Sequence, residues 1–431
     1  MKHTVEEIRL KNGARGLLID VPDATTMSMQ FQFRAGNRYA KSKDIEQVAH
    51  IMEHMAYGAN ARFKSENDFD YEFTKNGAYL NASTSDLSMI YEADCADFEW
   101  DRILELQKVA ICQPKFEEAK LEAEKGNIKN ELTNHLNDHQ RILFTKVQQL
   151  LGEDVLTYRQ SISTINNVTL ADVKEHHRRT HTTRNMRFVI AGKMNGRKAA
   201  IKRILEDFKL EEGERFEVPT DELIKSSPTI IRRKDSTNLT FGIFMAVERE
   251  LNDEELDAMH YLNHILTGTF YSRIFGAARK QGLAYNIEAY AAAGPEGTSS
   301  CWEIVGQVNH ESASALFGII ASELKNVLEG KIRQDEVDAA KSFALGRYQM
   351  GAQTVSQVRA FYTQRYFDDG VIKDYEKVPE MIKKVSLERM VDTARSFMKE
   401  EKWVLAAVSS GERQELVDLS EKIEPLFKSY Q

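Results

Sequence analysis

Apolar positions alternate with polar ones in some stretches and recur every three or four residues in others. In the first half, ARGLLIDV (14–21), MSMQFQFRA (27–35), LSMIYEADC (87–95) and MRFVIAGKM (186–194) alternate or run apolar with β-branched and aromatic residues, which predicts strands. Helical spacing predicts helices over 44–57, 97–112, 114–150 and 170–179, and later over 253–267, 310–329 and 333–350. The first of these begins at Asp44 as N-cap and places Ile45, Val48, Ala49, Met52, Met55 and Ala56 on one arc. His50, Glu53 and His54 fall on the opposite arc and point into one space. Strands adjacent in sequence and helices in runs predict an α+β fold, with an open sheet covered on one face by helices.

The pattern occurs twice. About 210 residues after VAHIMEHMAY, the segment DAMHYLNHIL carries His260 and His264 at the same spacing, with Asn263 in the place of Glu53. GAYLNASTS is echoed from Leu283, NNVTLADVKEHHRR from Lys383 and MRFVIAGKM from Lys402, in the same order and at offsets of 206 to 217. Shared order at a nearly constant offset is the mark of duplication. The boundary falls in KLEEGERFEVPTDELIKSSP (209–228), which is charged, contains Gly213, Pro219 and Pro228, and has no periodicity. The expected domains are 1–212 and 229–431, joined by a linker at 213–228.

Composition narrows the function. At 431 residues the chain exceeds one ordinary core, and a formal net charge of -8 argues against nucleic acid or an anionic membrane as partner. No apolar run reaches the length of a membrane span, and the start MKHTVEEIRLKNGARG lacks a secretory h-region. Cys95, Cys112 and Cys301 are odd in number and far apart, so they read as buried packing groups in a reduced, cytoplasmic protein.

His50 and His54, one helical turn apart, supply two of the three protein ligands that catalytic zinc needs. The competing reading is a merely solvated helix face. The polar helix KLEAEKGNIKNELTNHLNDHQ (120–140) offers Glu122, Glu124, Glu131, His135 and His139 as third ligand, and the chain alone does not choose among them. Glu124 and Glu131 are seven apart and share a face. His135 and His139 form a rival pair at i, i+4, without a base between them.

H-x-x-E-H is the inverted zinc motif, and the chain resembles the pitrilysin/insulinase family of zinc metallopeptidases over essentially its whole length. The branch it resembles is the short bacterial one akin to mitochondrial processing peptidase. That resemblance implies two duplicated domains, each an open, mostly antiparallel sheet, arranged as a clamshell around a chamber. It implies that His50, His54 and Glu131 bind Zn2+, with 76 residues intervening between the second histidine and Glu131 as for the family's third ligand. Glu53 is then the general base acting on the attacking water, and Glu124 orients a ligand from behind. At the offset of 210, Glu131 is matched by Lys341, so His260 and His264 read as a relic and one site per chain is expected.

YLNASTSDLSMIYEA (79–93) resembles the family's strand beside the metal, with Asn81 and Ala82 nearest a peptide held by edge pairing; a plain amphipathic strand is the bland reading. The family's second domain carries an arginine seven residues before a tyrosine. Here Tyr285 lies in GLAY, but position 278 is alanine and Arg279 is one place off. Either Arg279 serves or a partner supplies the pair, so a homodimer or a heterodimer with a related subunit is expected. AAAGPEGTSS (291–300) reads as a loop between strands, and EHHRRTH (175–181) as the basic end of a helix, with a second metal site as its alternative. The function implied is a zinc endopeptidase acting on peptides or unfolded segments. The alternative is a non-catalytic or partner-dependent member that binds peptides as a scaffold. A zinc lyase is disfavoured, since such chains are much shorter and not duplicated.

Overall fold

The computed structural model describes residues 1–295 and 297–428. They form two compact units, each α+β. The first comprises Met1–Asn134, Tyr158–Glu217 and Met350–Lys373, and the second comprises His135–Thr157, Val218–Gln349 and Asp374–Gln431. Relative to the contiguous halves expected from the repeat, two segments are exchanged: 135–157 packs with the second unit and 350–373 with the first.

The first unit holds six strands, β1 (Thr4–Arg9), β2 (Arg15–Asp20), β3 (Thr26–Phe33), β4 (Tyr79–Thr84), β5 (Met89–Ala96) and β6 (Arg187–Gly192). Their order is β1-β2-β6-β3-β5-β4, antiparallel except for the β2/β6 pair. β4 is therefore an edge. The second unit holds β7 (Thr229–Arg232), β8 (Leu239–Val247), β9 (Ala284–Ala292), β10 (Ser300–Val308) and β11 (Lys402–Ser409) in the order β7-β11-β8-β10-β9, with only β7/β11 parallel. The expected mostly antiparallel open sheets are present in both units.

One face of each sheet carries the main core. In the first unit, helices Val48–Ala56, Trp100–Cys112 and Glu118–His135 contribute Ile51, Met52, Met55, Leu104, Ile128 and Leu132 to it. Each such side chain adds roughly 1.5–3 kcal/mol on burial. The second face is covered as well, by the exchanged helices. His139–Leu151 lays Leu143, Val147 and Leu151 on Phe244, Val404 and Ala406 of β8 and β11. Val355–Asp369 crosses β3 and β6, and its buried Arg359 donates to Ser28 Oγ at 2.7 Å and Glu92 Oε2 at 3.2 Å. Burial from both sides explains why every residue of β8, LTFGIFMAV, is buried.

Several expected elements shift. The helix expected over 44–57 begins at Val48, because Lys43–Ile45 forms a separate 3-10 turn and Gln47, not Asp44, is the N-cap. The helix expected over 114–150 is two helices, Glu118–His135 and His139–Leu151. Asp138 caps the second by accepting from the main-chain N–H groups of Gln140 and Arg141. The stretch 79–93 is a hairpin rather than one strand, closed by the Ser85 N–H to Ser88 carbonyl bond. In the loop between β9 and β10, Glu296 lies outside the described residues.

Candidate metal centre

Helix Val48–Ala56 buries Val48, Ala49, Ile51, Met52, Met55 and Ala56 and leaves His50, Glu53 and His54 half-buried on the other side. Helix Glu118–His135 faces it, buried through Leu121, Glu124, Lys125, Ile128 and Leu132. That stripe carries Glu124 into the contact and sets Glu131, two turns on, at its rim.

The side chains converge. Glu131 Oε2 lies 3.6 Å from His50 Nε2 and 3.7 Å from His54 Nε2. His50, Glu53 and His54 each also offer a ligand atom within 4.8 Å of the others, the one such group among the described residues. Two donors about 2.0–2.2 Å from a tetrahedral zinc stand about 3.3–3.6 Å apart, so Glu131 Oε2 stands close to ligand separation from each imidazole Nε2. Glu53 belongs to the close group because it precedes His54 on the same helix.

The hydrogen bonds behind the rings fix their tautomers. His54 Nδ1 donates to Glu124 Oε2 at 2.8 Å, and His50 Nδ1 donates to Gln47 Oε1 at 3.3 Å. Both Nε2 atoms then present lone pairs toward the Glu131 carboxylate. Lone pairs facing one point repel unless a cation lies among them, so the donor set suits a metal. Burial pushes the Glu124 carboxyl up, but bonds from Lys120, Asn127 and His54 outweigh it and hold it below the usual carboxylate range. Glu53 moves the other way. Burial raises it, the Glu131 charge adds to the rise, and His54 and the Thr84 hydroxyl only partly oppose it. A raised pKa makes the carboxylate a stronger proton acceptor.

β4 runs beside this centre at the open edge. Asn81 is exposed and Ala82 half-buried. The Ser85–Ser88 bond sets the main-chain alternation, so Asn81 pairs toward Glu92 of β5 while Leu80, Ala82 and Thr84 turn their N–H and C=O groups to the free edge. Of the two expected contact residues, Ala82 is thus the one whose backbone is placed to pair with a peptide. Sequence reasoning missed Tyr57, three residues past His54. Its hydroxyl donates to the Asn81 carbonyl at 3.1 Å and to Gln107 Oε1 at 3.2 Å, tying the histidine helix to the edge strand. An aromatic residue at that helix end was the available signal.

In the second unit, Ala278 is fully buried in the core, and Arg279 is the arginine beside Tyr285, its guanidinium 4.2 Å from the ring centre. They line a cleft of about 410 Å³ with Gln307 and Asn309. Asn263 accepts from the Trp302 indole N–H at 2.9 Å, His264 stacks on Phe343 at 4.1 Å, and Lys341 donates to the Lys383 carbonyl at 2.9 Å. The rival pair dissolves, since His135 ends one helix and His139 begins the next. The segment 175–181 ends a helix as expected, but His176, His177 and His181 are largely buried and bond to the Ala35 carbonyl, the Ile111 carbonyl and the Tyr91 hydroxyl. Cys95, Cys112 and Cys301 are free thiols, each pushed up to about 12 chiefly by burial, as packing groups are.

The family model for Insulinase (Peptidase family M16) matches residues 16–153, and that for the Peptidase M16 inactive domain matches 167–343. The chain belongs to the M16 (pitrilysin/insulinase) family. Among curated relatives, a protein called an uncharacterized zinc protease from Rickettsia felis is 22% identical over 92% of this chain and 96% of its own. The mitochondrial-processing peptidase subunit beta of Mus musculus is 30% identical over 38% of this chain and 34% of its own. The match thus spans about a third of the processing-peptidase subunit. A protease from Helicobacter pylori has the same fold, with a TM-score of 0.81 at 17% identity, covering 95% of this chain and 100% of that one. No described helix is long and apolar enough to cross a membrane.

Proposed function

We propose that this M16 chain is a zinc-dependent endopeptidase that hydrolyses peptides or unfolded polypeptide segments. The observation that carries the reading is the approach of Glu131 to both imidazole Nε2 atoms, at 3.6 and 3.7 Å. His50, His54 and Glu131 hold the ion, and Glu124 keeps the His54 ring oriented. Zinc bound there polarises the scissile carbonyl and eases deprotonation of the attacking water. Glu53, held half-buried with a raised pKa, accepts that proton and returns it to the leaving amine. An extended substrate adds a strand at β4 through the outward backbone groups of Ala82. Edge pairing demands an extended chain, which selects against folded proteins.

Arg279 and Tyr285 bind substrate from the second unit, and the chain works as a homodimer or beside a related subunit. The alternative, a partner-dependent or scaffold member, is favoured by one feature: the family's arginine position is Ala278, and Arg279 stands one residue away. Digestion separates the two readings. Glu53→Gln is expected to retain one zinc per chain and to lose hydrolysis by about a thousandfold or more. If the unaltered protein with stoichiometric zinc cleaves nothing in a diverse peptide library, alone or with a co-purified related chain, the enzyme reading fails.

A further inference from the structure

Three carboxylates gather at the candidate centre, those of Glu53, Glu124 and Glu131, against the two charges that a zinc ion would bring. Lys120 joins that set from one turn before Glu124 on the same helix. Its ammonium reaches Glu124 Oε1 at 2.6 Å, while Glu124 Oε2 accepts from His54 Nδ1 at 2.8 Å and from Asn127 Nδ2 at 3.1 Å. One carboxylate oxygen thus faces the ammonium and the other faces the ring. The same ammonium also pairs with Glu66, the first residue of helix Glu66–Thr74. Glu66 is 55% accessible, but Glu124 is only 6% accessible. An exposed pair four residues apart on a helix contributes little. Here solvent is largely excluded from the shared carboxylate, so the charge of Lys120 is felt beyond it.

We propose that Lys120 is a positioning residue that sets the charge of the centre through Glu124: it lowers the affinity for zinc and keeps the bound ion electrophilic. A carboxylate behind a histidine raises the basicity of the ring and, with it, metal affinity. An ammonium on the other oxygen draws charge away from the ring, so the His54 Nε2 lone pair becomes a weaker donor. The positive charge also opposes a divalent ion directly, across one carboxylate and one imidazole. A metal that receives less from its ligands polarises a carbonyl more strongly. The competing role is a strut between helices Glu66–Thr74 and Glu118–His135. It makes the opposite prediction, because removing a strut loosens the ligands and weakens binding.

The inference rests on the zinc centre proposed above, and affinities test it without turnover. Zinc binding by the full-length protein is measured against a chromogenic chelator, with thermal unfolding of the metal-free protein in parallel. Lys120→Met keeps most of the side-chain length, removes the charge and is expected to tighten zinc binding about tenfold. Lys120→Arg restores the charge and is expected to hold the affinity within about twofold of the unaltered protein. Glu66→Gln removes a negative charge and leaves Lys120 to Glu124 alone, so it is expected to weaken binding about threefold. A strut would move Lys120→Met and Glu66→Gln in the same direction, since each breaks the same bridge. Charge control moves them in opposite directions. Should Lys120→Met fold poorly, Lys120→Gln, which still donates to Glu124, carries the same expectation. Weaker or unchanged binding in the neutral variant overturns the inference, as does equal tightening in Lys120→Arg. At full zinc loading, kcat of Lys120→Met is expected to fall severalfold at an unchanged KM, and a rise in kcat overturns the electrophilic half of the proposal. An unaltered protein that binds no zinc overturns the centre and this inference together. Zinc affinities that shift as expected without any hydrolysis would overturn the peptidase reading and leave the role of Lys120 standing.

Discussion

Glu124 is where the electrostatics of the candidate centre can be tested most cleanly. Its side chain accepts from His54 Nδ1 at 2.8 Å, Lys120 Nζ at 2.6 Å and Asn127 Nδ2 at 3.1 Å, and only 6% of it is accessible. Glu124→Gln keeps the volume and removes the charge. The amide has one oxygen. If that oxygen faces His54, the NH2 group faces the Lys120 ammonium, donor against donor. If it faces Lys120, the NH2 group faces His54 Nδ1, and the ring must adopt the tautomer that protonates Nε2. Either way the imidazole loses a charged anchor. Loss of such a support costs 10–100-fold in metal affinity, about 1.4–2.7 kcal/mol.

The assay is zinc competition against a chromogenic chelator, with thermal unfolding of the metal-free protein in parallel. Glu122→Gln is the control, because Glu122 is 63% accessible on the same helix and pairs only with Lys125 among the described ion pairs. An exposed pair of that kind is worth under about 1 kcal/mol, and its loss is expected to leave zinc affinity unchanged. Zinc affinity within threefold of the unaltered protein in Glu124→Gln would refute the reasoning. So would an equal loss in Glu122→Gln.

Two further outcomes follow from groups outside the ligand set. Tyr57→Phe removes the hydroxyl that joins the Asn81 carbonyl to Gln107 and is expected to cost about 1–2 kcal/mol in urea unfolding at unchanged zinc content; an unchanged midpoint would count against that link. Burial first of all lowers the pKa of His176, His177 and His181, His176 to about 4 from 6.5. Folded values below the unfolded one mean that the unfolded chain binds more protons, so stability is complete above about pH 6.5 and falls as pH drops toward the folded values. His176 alone accounts for roughly 3 kcal/mol across that window, and denaturant midpoints that stay flat from pH 7 to pH 5 would contradict it.

The fold class and the core strands of the first unit were legible because their patterns are local, whereas β8 and β10 of the second unit's core were not read as strands. β1 was not: TVEEIR is a sheet edge with no buried residue, and its charges hide the alternation. The break at Asp138 was hidden because the helical pattern resumes within a turn, on a helix that belongs to the other unit. The exchanged helices left a trace that could have been read. β8 has no charged residue and Thr240 as its one polar side chain, a run without the alternation that a sheet covered on one face would show. At the centre, the arc of His50, Glu53 and His54 was plain from spacing. The choice of Glu131 over Glu122 and Glu124 was not, because it depends on how one helix faces another. The structure sets Glu131 at the rings, Glu124 behind one of them and Glu122 toward solvent.

The two units began from one pattern and now use its positions differently. In the first, two imidazole lone pairs and two carboxylates approach one point, an arrangement that costs stability until a cation is present. In the second, the corresponding positions serve packing. Asn263, in place of the base, satisfies the Trp302 indole inside the core, and Lys341, in place of the third ligand, bonds a main-chain carbonyl. Gln334, which the 210-residue offset sets against Glu124, bonds Asp338 one turn on rather than a histidine. Restoring the ligand, the base and the orienting carboxylate there would mean undoing three satisfied contacts, one of them at the fully buried Trp302. A buried donor left unpaired costs about 1–3 kcal/mol, so any replacement of Asn263 that leaves the Trp302 indole N–H unpaired would weaken the core, whereas the Gln334 and Lys341 bonds lie at the surface. Divergence of that kind is self-reinforcing, and it leaves the second unit free to evolve surfaces that bind substrate rather than centres that act on it.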